Sequence, residues 1–139
     1  MSHNCSTVLI KCIDFRLAGA YFEFLDKLGL TNDCDIISIA GACKPISSPD
    51  NESERDFLFK QLDISVGLHS VKKVLITNHA DCGAYGGAGK FFKSEDEKKM
   101  HADEMREAEK RIKERYPQIE VEKYYVELVD DKWKFEKVR

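Results

Sequence analysis

Three short apolar runs within the first 80 residues have the length of buried strands. They span residues 7–11, 35–40 and 73–78, and each centres on valine, leucine or isoleucine residues. Continuous apolar runs of this length, bounded by polar residues, are typical of strands that are covered on both faces. We therefore predict three buried parallel strands.

The segments between these runs have the periodicity of helices. The first, over residues 17–29, places apolar side chains at helical spacing and ends at Gly29, as a helix with a glycine C-terminus does. The second has apolar residues at helical spacing from Phe57 to Leu68. Alternating strands and helices favour right-handed crossovers, and therefore a parallel α/β sheet.

The remainder of the chain predicts a long helix followed by a hairpin. Residues 94–97, Ser-Glu-Asp-Glu, have the form of a capping box and open a mostly polar helix that stops before Pro117. Its alternating charges are typical of a solvated face. Residues 121–139 predict two strands around a turn at Asp130–Asp131, completing an edge of the sheet.

Composition and charge narrow the classes of protein. With 139 residues, of which 42% are hydrophobic, the chain is long enough for one core and too short for two, so we expect a single domain over residues 1–139. A net charge of −3 supplies no excess of cations for a phosphate backbone, which argues against nucleic-acid binding. No run approaches the roughly 18 apolar residues of a membrane span, and no signal-peptide pattern opens the sequence. We expect a cytoplasmic protein with no membrane partner.

The number of cysteines bears on whether the chain has disulfides or a metal or redox role. An odd number of cysteines argues against a disulfide framework, and in a reducing compartment it favours a metal or redox role. A single cysteine can also be a small buried hydrophobe, the interpretation we favour for Cys34 and Cys43. The five are Cys5, Cys12, Cys34, Cys43 and Cys82.

Two thiols and one imidazole follow the predicted strands. Cys12 stands at the end of the first strand, and His79 and Cys82 stand three residues apart at the end of the third. If the strand order is 2-1-3, these ends are neighbours at the edge where open α/β sheets bind ligands. Two cysteines and a histidine suit zinc, and three protein ligands leave a position for water, as in catalytic sites. The alternative is that all three are packing or hydrogen-bonded residues.

The two motifs carry a family resemblance. Cys12-x-Asp14-x-Arg16, followed by His79-x-x-Cys82-Gly83, resembles the zinc-site signature of the beta-class carbonic anhydrases, and the similarity extends from about residue 6 to the end. The resemblance implies an α/β fold with a parallel sheet of order 2-1-3-4, flanked by helices, with an antiparallel C-terminal edge strand. It also implies homodimers or higher homo-oligomers. Relative to that family, we expect a short member without the N-terminal helical arm.

The resemblance also implies an activity and a set of roles. Cys12, His79 and Cys82 would ligate zinc, and Asp14 and Arg16 would form a dyad that orients a metal-bound hydroxide for the reversible hydration of CO2 to bicarbonate. Asp14 could instead take the fourth zinc position in a closed state. The alternatives are a non-catalytic zinc-binding domain of the same fold, and hydrolysis of a CO2 analogue such as COS or CS2.

Three further histidines have no ligand-like neighbours in the sequence. We expect them to be surface residues. They are His3, His69 and His101.

Overall fold

Five strands form one mixed sheet in the computed structural model, which describes residues 3–139. The spatial order is 2-1-3-4-5, and all neighbouring pairs are parallel except the last, which is antiparallel. The predicted order and the antiparallel C-terminal edge are therefore confirmed. The strands are β1 (Thr7–Lys11), β2 (Cys34–Ser38), β3 (Lys73–His79), β4 (Glu120–Val129) and β5 (Lys132–Val138).

Helices cover both faces of this sheet. They are α1 (Ala18–Lys27), α2 (Lys44–Ser47), α3 (Glu52–His69) and α4 (Ser94–Arg115). Alternation along β1 separates two cores, because successive side chains point to opposite faces. Val8 and Ile10 pack with residues of α2, α3 and α4, whereas Leu9 packs with residues of α1, β4 and β5. The site described below lies where these layers meet the carboxyl ends of β1 and β3.

The second strand differs from its prediction. β2 ends at Ser38, two residues early, and as the edge strand it is half exposed rather than buried, with Ile36 half open to solvent. The chain then turns through Gly41, whose φ is +79°. A Cβ on Gly41 would lie 3.0 Å from the Lys44 Cβ and 3.1 Å from the Ala84 Cβ. This close approach brings the start of α2 against the loop that follows β3.

The C-terminal hairpin follows its prediction. β4 and β5 are joined at Asp130 and Asp131, whose φ values are +50° and +61°. Two successive left-handed residues match the right-handed twist of the flanking strands, and aspartate tolerates that conformation better than most residues.

The long polar helix α4 corrects two expectations. Its N-cap is Lys93, without a side-chain cap, so the predicted capping box does not form. Glu97, assigned to that box, is instead buried together with His101, Met105 and Ile112 on the face that packs on the sheet. The helix with alternating charges therefore has one buried face as well as a solvated one. His101 lies on the buried face and is not a surface residue.

Within residues 3–139, none of the helices combines the length and the apolar character that a membrane span requires.

Candidate metal centre

Three buried donor side chains meet at the carboxyl edge of the sheet. Cys12 follows β1, His79 is the last residue of β3, and Cys82 lies beyond a tight turn. The two sulfur atoms are 4.0 Å apart, and one ligand atom from each of the three residues lies within 4.8 Å of the others. We call these residues the carboxyl-edge cluster. The structure thus brings together the three residues predicted as zinc ligands.

The orientation of His79 is set by the backbone. Its Nδ1 lies 2.8 Å from the carbonyl oxygen of Ala80 and donates to it, which leaves Nε2 as the lone-pair nitrogen. Nε2 is buried and has no hydrogen-bond partner within residues 3–139. A buried polar atom without a partner is costly, whereas a metal-ligating histidine typically donates its other nitrogen to a carbonyl in this manner. The arrangement fits a metal ligand.

The electrostatics of the cluster favour a thiolate. Cys12 and Cys82 share one hydrogen bond between their sulfur atoms, and this contact lowers the pKa of Cys12 and raises that of Cys82. Burial lowers the pKa of His79, but the neighbouring Cys12 sulfur raises it overall. Two sulfur donors and one imidazole form a donor set that suits zinc.

Asp14 and Arg16 form a close ion pair beside the cluster. Arg16 Nε donates to Asp14 Oδ1 at 3.0 Å and Arg16 Nη2 donates to Oδ2 at 2.6 Å. Hydrogen bonds from Arg16 lower the pKa of Asp14 to about 2. Asp14 Oδ2 lies 3.8 Å from His79 Nε2, so the carboxylate faces the donor atoms. The structure therefore also places the two predicted dyad residues at this site.

A second carboxylate, which the sequence analysis did not single out, holds the other side of Arg16. Arg16 Nη1 donates to Asp81 Oδ2 at 3.0 Å, and Nη2 donates to the Asp81 carbonyl oxygen at 3.0 Å. Asp81 has a φ of +58°, the left-handed conformation. Its N–H donates to the buried carboxylate of Glu97 at 3.1 Å. The position of Asp81 inside the His-x-x-Cys motif was the one available signal in the sequence.

An open groove of about 600 Å³ leads to the dyad. Its rim carries two exposed apolar side chains, Ile13 and Phe15, and Phe15 is 85% exposed. The remaining lining is the ionic group and loop backbone, namely Asp14, Arg16, Asp81, Gly83, Gly86 and Gly87. Asp14 and Arg16 are therefore accessible to a small solute from solvent, whereas the buried carboxyl-edge cluster lies behind them.

A buried polar network lies behind the cluster. His101 is 1% exposed and its Nδ1 lies 3.1 Å from Asn78 Nδ2, so it accepts from that amide. Burial lowers the pKa of His101 to about 4. Cys43 donates to Asn78 Oδ1 at 3.3 Å, and burial raises the pKa of its thiol to about 12. Cys43 is thus a packed residue, as expected, and His101 supports the site from within the core.

His69 also departs from its prediction. It lies at the opposite, amino edge of the sheet, and its Nδ1 is 2.7 Å from Asp35 Oδ2. Cys5 is close to both residues. The expectation that His69 lacks ligand-like neighbours is therefore wrong, because the length of α3 brings its last residue back to the start of β2.

Two bacterial proteins are similar to this chain over most of its length. An uncharacterized protein of Rickettsia bellii is 30% identical over 122 residues, which are 86% of this chain and 74% of that protein. One of Rickettsia conorii is 30% identical over 122 residues, which are 86% of this chain and 66% of that protein.

Solved structures share the fold at low sequence identity. A carbonic anhydrase from Streptococcus mutans superposes with a TM-score of 0.64 at 16% identity, covering 97% of this chain and 84% of that one. Carbonic anhydrase from Glaciozyma antarctica gives 0.64 at 18%, covering 96% and 81%. Beta-carbonic anhydrase isoform I from Trichomonas vaginalis gives 0.64 at 15%, covering 97% and 85%.

The family model described as "Putative carbonic anhydrase" matches residues 1–139. The match covers both motifs that build the edge of the sheet, and the fold agrees with that of solved carbonic anhydrases. The chain therefore belongs to the carbonic anhydrase family.

Proposed function

We propose that this protein catalyses the reversible hydration of CO2 to bicarbonate, with a zinc ion held by Cys12, His79 and Cys82. The observation that carries the proposal is the unpartnered, buried Nε2 of His79, which faces two thiols within 4.8 Å. Membership of the carbonic anhydrase family supports the reaction class. Three protein ligands are characteristic of catalytic zinc sites rather than structural ones.

Zinc would supply the Lewis acidity that makes water a nucleophile near neutral pH. The protein supplies orientation. Because Arg16 holds Asp14 with two hydrogen bonds, the Asp14 carboxylate remains ionised and can only accept a hydrogen bond. Asp14 Oδ2 lies 3.8 Å from His79 Nε2. From there it can accept a hydrogen bond from the attacking water and so orient the lone pair of that water towards the substrate.

Access and selectivity follow from the groove. CO2 is small and nonpolar, and the exposed apolar side chains of Ile13 and Phe15 offer it contacts at the rim. Bicarbonate is an anion, and the guanidinium of Arg16 lies in the same lining. The groove thus contains apolar side chains that suit CO2 and a cation that suits bicarbonate.

The same geometry supports a second candidate, a closed and non-catalytic zinc site. Asp14 Oδ2 lies 3.8 Å from His79 Nε2 but outside the group of three whose ligand atoms are within 4.8 Å of one another, so the carboxylate would have to move towards the two sulfur atoms to complete a set of two cysteines, one histidine and one aspartate. The pairing of Asp14 with Arg16 favours the catalytic alternative, because a purely structural site has no need of the arginine.

The test is stopped-flow CO2 hydration by protein of known zinc content. Asp14→Ala should lower kcat at least a hundredfold while the zinc content stays at the wild-type value, because the orienting acceptor is lost and the three ligands remain. Asp63→Ala is the matched control, since Asp63 forms a comparable pair with Arg115 away from the site, and it should leave kcat unchanged.

The other outcomes separate the alternatives. A zinc-loaded wild-type protein without hydration activity would exclude the enzyme and favour the closed site, after COS and CS2 have been tried as substrates. A wild-type protein that binds no zinc, or an Asp14→Ala variant with full activity, would contradict the assigned roles.

A further inference from the structure

A second group of metal-compatible side chains lies at the amino edge of the sheet. Cys5 precedes β1, Asp35 is near the start of β2, and His69 is the last residue of α3. One ligand atom from each lies within 4.8 Å of the others. We call these residues the amino-edge cluster. Cys5 and Cys12 flank the whole of β1, so the two clusters are roughly 20 Å apart at ~3.3 Å per residue.

We propose that Cys5, Asp35 and His69 form a second binding site, for a divalent cation of borderline softness such as zinc. Thiolate, imidazole and carboxylate are all established zinc donors, and together they would balance the charge of the ion. Zinc–ligand distances of about 2.0–2.3 Å require the donor atoms to shift by only about 1 Å from their present spacing.

The backbone preorganises two of the three donors. The N–H of Cys5 donates to the carbonyl oxygen of His69 at 3.0 Å, so these two residues are fixed to one another. Ser6 is held in turn by Asp33, to which its N–H and Oγ donate at 2.9 and 2.6 Å. The segment that carries Cys5 is therefore anchored before any metal arrives, which lowers the cost of forming the site.

The third donor is oriented as a metal-binding carboxylate should be. Ser65 Oγ donates to Asp35 Oδ2 at 2.6 Å, and His69 Nδ1 lies 2.7 Å from the same oxygen. The bond from Ser65, which lies outside the donor set, is of the kind that orients ligand carboxylates in metal sites, whereas an ion would replace the contact between Asp35 and His69. Asp35 and His69 are about one third exposed, so an ion can enter from solvent and keep a water in its fourth position.

The thiol of Cys5 donates a weak hydrogen bond to the Thr7 carbonyl oxygen at 3.5 Å, and it also lies within reach of Asp35 and His69. A cation would replace the thiol proton and bind all three side chains. The spacing of a thiol, a carboxylate and an imidazole within 4.8 Å of one another is the observation that favours a metal of borderline softness.

Counting zinc by elemental mass spectrometry after metal removal, reloading and dialysis tests the proposal directly. The wild-type protein should hold two equivalents per chain, and Cys5→Ser should hold one. Cys34→Ser is the matched control, because Cys34 packs against the core on the opposite face of the sheet, the one that contains Leu9, and it should keep both equivalents.

A cobalt experiment separates this site from the carboxyl-edge cluster. In a Cys12→Ser/Cys82→Ser protein, added Co²⁺ should still give a thiolate charge-transfer band, and His69→Gln in that background should weaken Co²⁺ binding at least tenfold. Cys5→Ser in the same background should abolish the band.

Two results would overturn the proposal: a wild-type protein with one equivalent that disappears in Cys82→Ser, or two equivalents that persist in both Cys5→Ser and His69→Gln. A single equivalent that survives loss of Cys12 and Cys82 but not of Cys5 would support the second site and contradict the proposed function.

Discussion

The carboxyl-edge and amino-edge clusters contain similar chemistry in different surroundings. Cys12, His79 and Cys82 are buried, and among the described residues Nε2 of His79 has no hydrogen-bond partner, whereas Asp35 and His69 are partly exposed and already hydrogen-bonded to one another. An ion at the carboxyl edge relieves a buried, unsatisfied atom, and an ion at the amino edge must replace existing hydrogen bonds. The comparison teaches that metal affinity depends on more than which donors are present. The burial and hydrogen bonding of those donors before the ion binds also contribute.

The largest expected difference between the clusters is in stability. Cys82→Ser should remove the carboxyl-edge zinc and lower Tm by roughly 10 °C. An ion present at a concentration far above its Kd adds about 4 kcal/mol to the free energy of unfolding, and the variant loses this contribution. Cys5→Ser should lower Tm by no more than about 3 °C, since its donors are partly exposed and self-satisfied. Differential scanning calorimetry of both zinc-loaded variants measures the contrast, and equal shifts would break the comparison.

A second contrast concerns pH and the buried His101 behind the carboxyl edge. The unfolded chain takes up a proton on this histidine near pH 6.5, whereas the folded state keeps it neutral down to about pH 4. The contribution of His101 to the free energy of unfolding is therefore fully present above pH 6.5. It is lost as the pH falls towards 4, by as much as roughly 3 kcal/mol.

Urea unfolding between pH 7 and pH 4 measures this loss. The difference in unfolding free energy between wild type and His101→Gln should shrink as the pH falls across the interval. Only the wild type has a histidine here that becomes protonated on unfolding, and this protonation favours its unfolded state. His3→Gln, which alters an exposed histidine, is the control and should show no such trend. A constant difference for His101→Gln would show that this imidazole takes up its proton at the same pH in the folded and unfolded states, which contradicts the lowered pKa.

The smallest expected effect concerns the support of the arginine, a feature that the amino-edge cluster does not share. Asp81→Asn keeps the shape of the side chain and tolerates the left-handed backbone, but it removes the charge that faces Arg16 Nη1 at 3.0 Å. We expect kcat for CO2 hydration to fall about tenfold with zinc content unchanged, which corresponds to one charge-assisted hydrogen bond.

Zinc content and circular dichroism distinguish this positioning role from general damage. Asp81→Glu, which restores the charge, should recover part of kcat. Loss of zinc in Asp81→Asn, or an unchanged kcat, would show that Asp81 does not act through Arg16.

The predictions that succeeded rested on local patterns. The run at residues 7–11 is β1, and the left-handed pair at Asp130–Asp131 joins β4 and β5. The motif residues Cys12 and His79 meet because parallel strands in neighbouring positions end at one edge. Their roles as zinc ligands, the dyad and the homo-oligomer stay predictions.

The predictions that failed concerned helix faces and distant pairs. Glu97 and His101 lie in a sequence of alternating charges, and only the docking of α4 on the sheet decides which charges are buried. His69 and Asp35 are 34 residues apart, so their contact depends on the length and direction of α3 rather than on any local motif.

The sequence by itself determined the order of strands and helices and the identity of the chemical groups at the carboxyl edge, because apolar periodicity and motif spacing are local properties of the chain. Only the tertiary structure decided which oxygen holds Arg16, which nitrogen of His79 is left without a partner, and which residues meet at the amino edge. Those contacts join segments that are far apart in sequence, and their geometry is fixed by the packing of helices on the sheet.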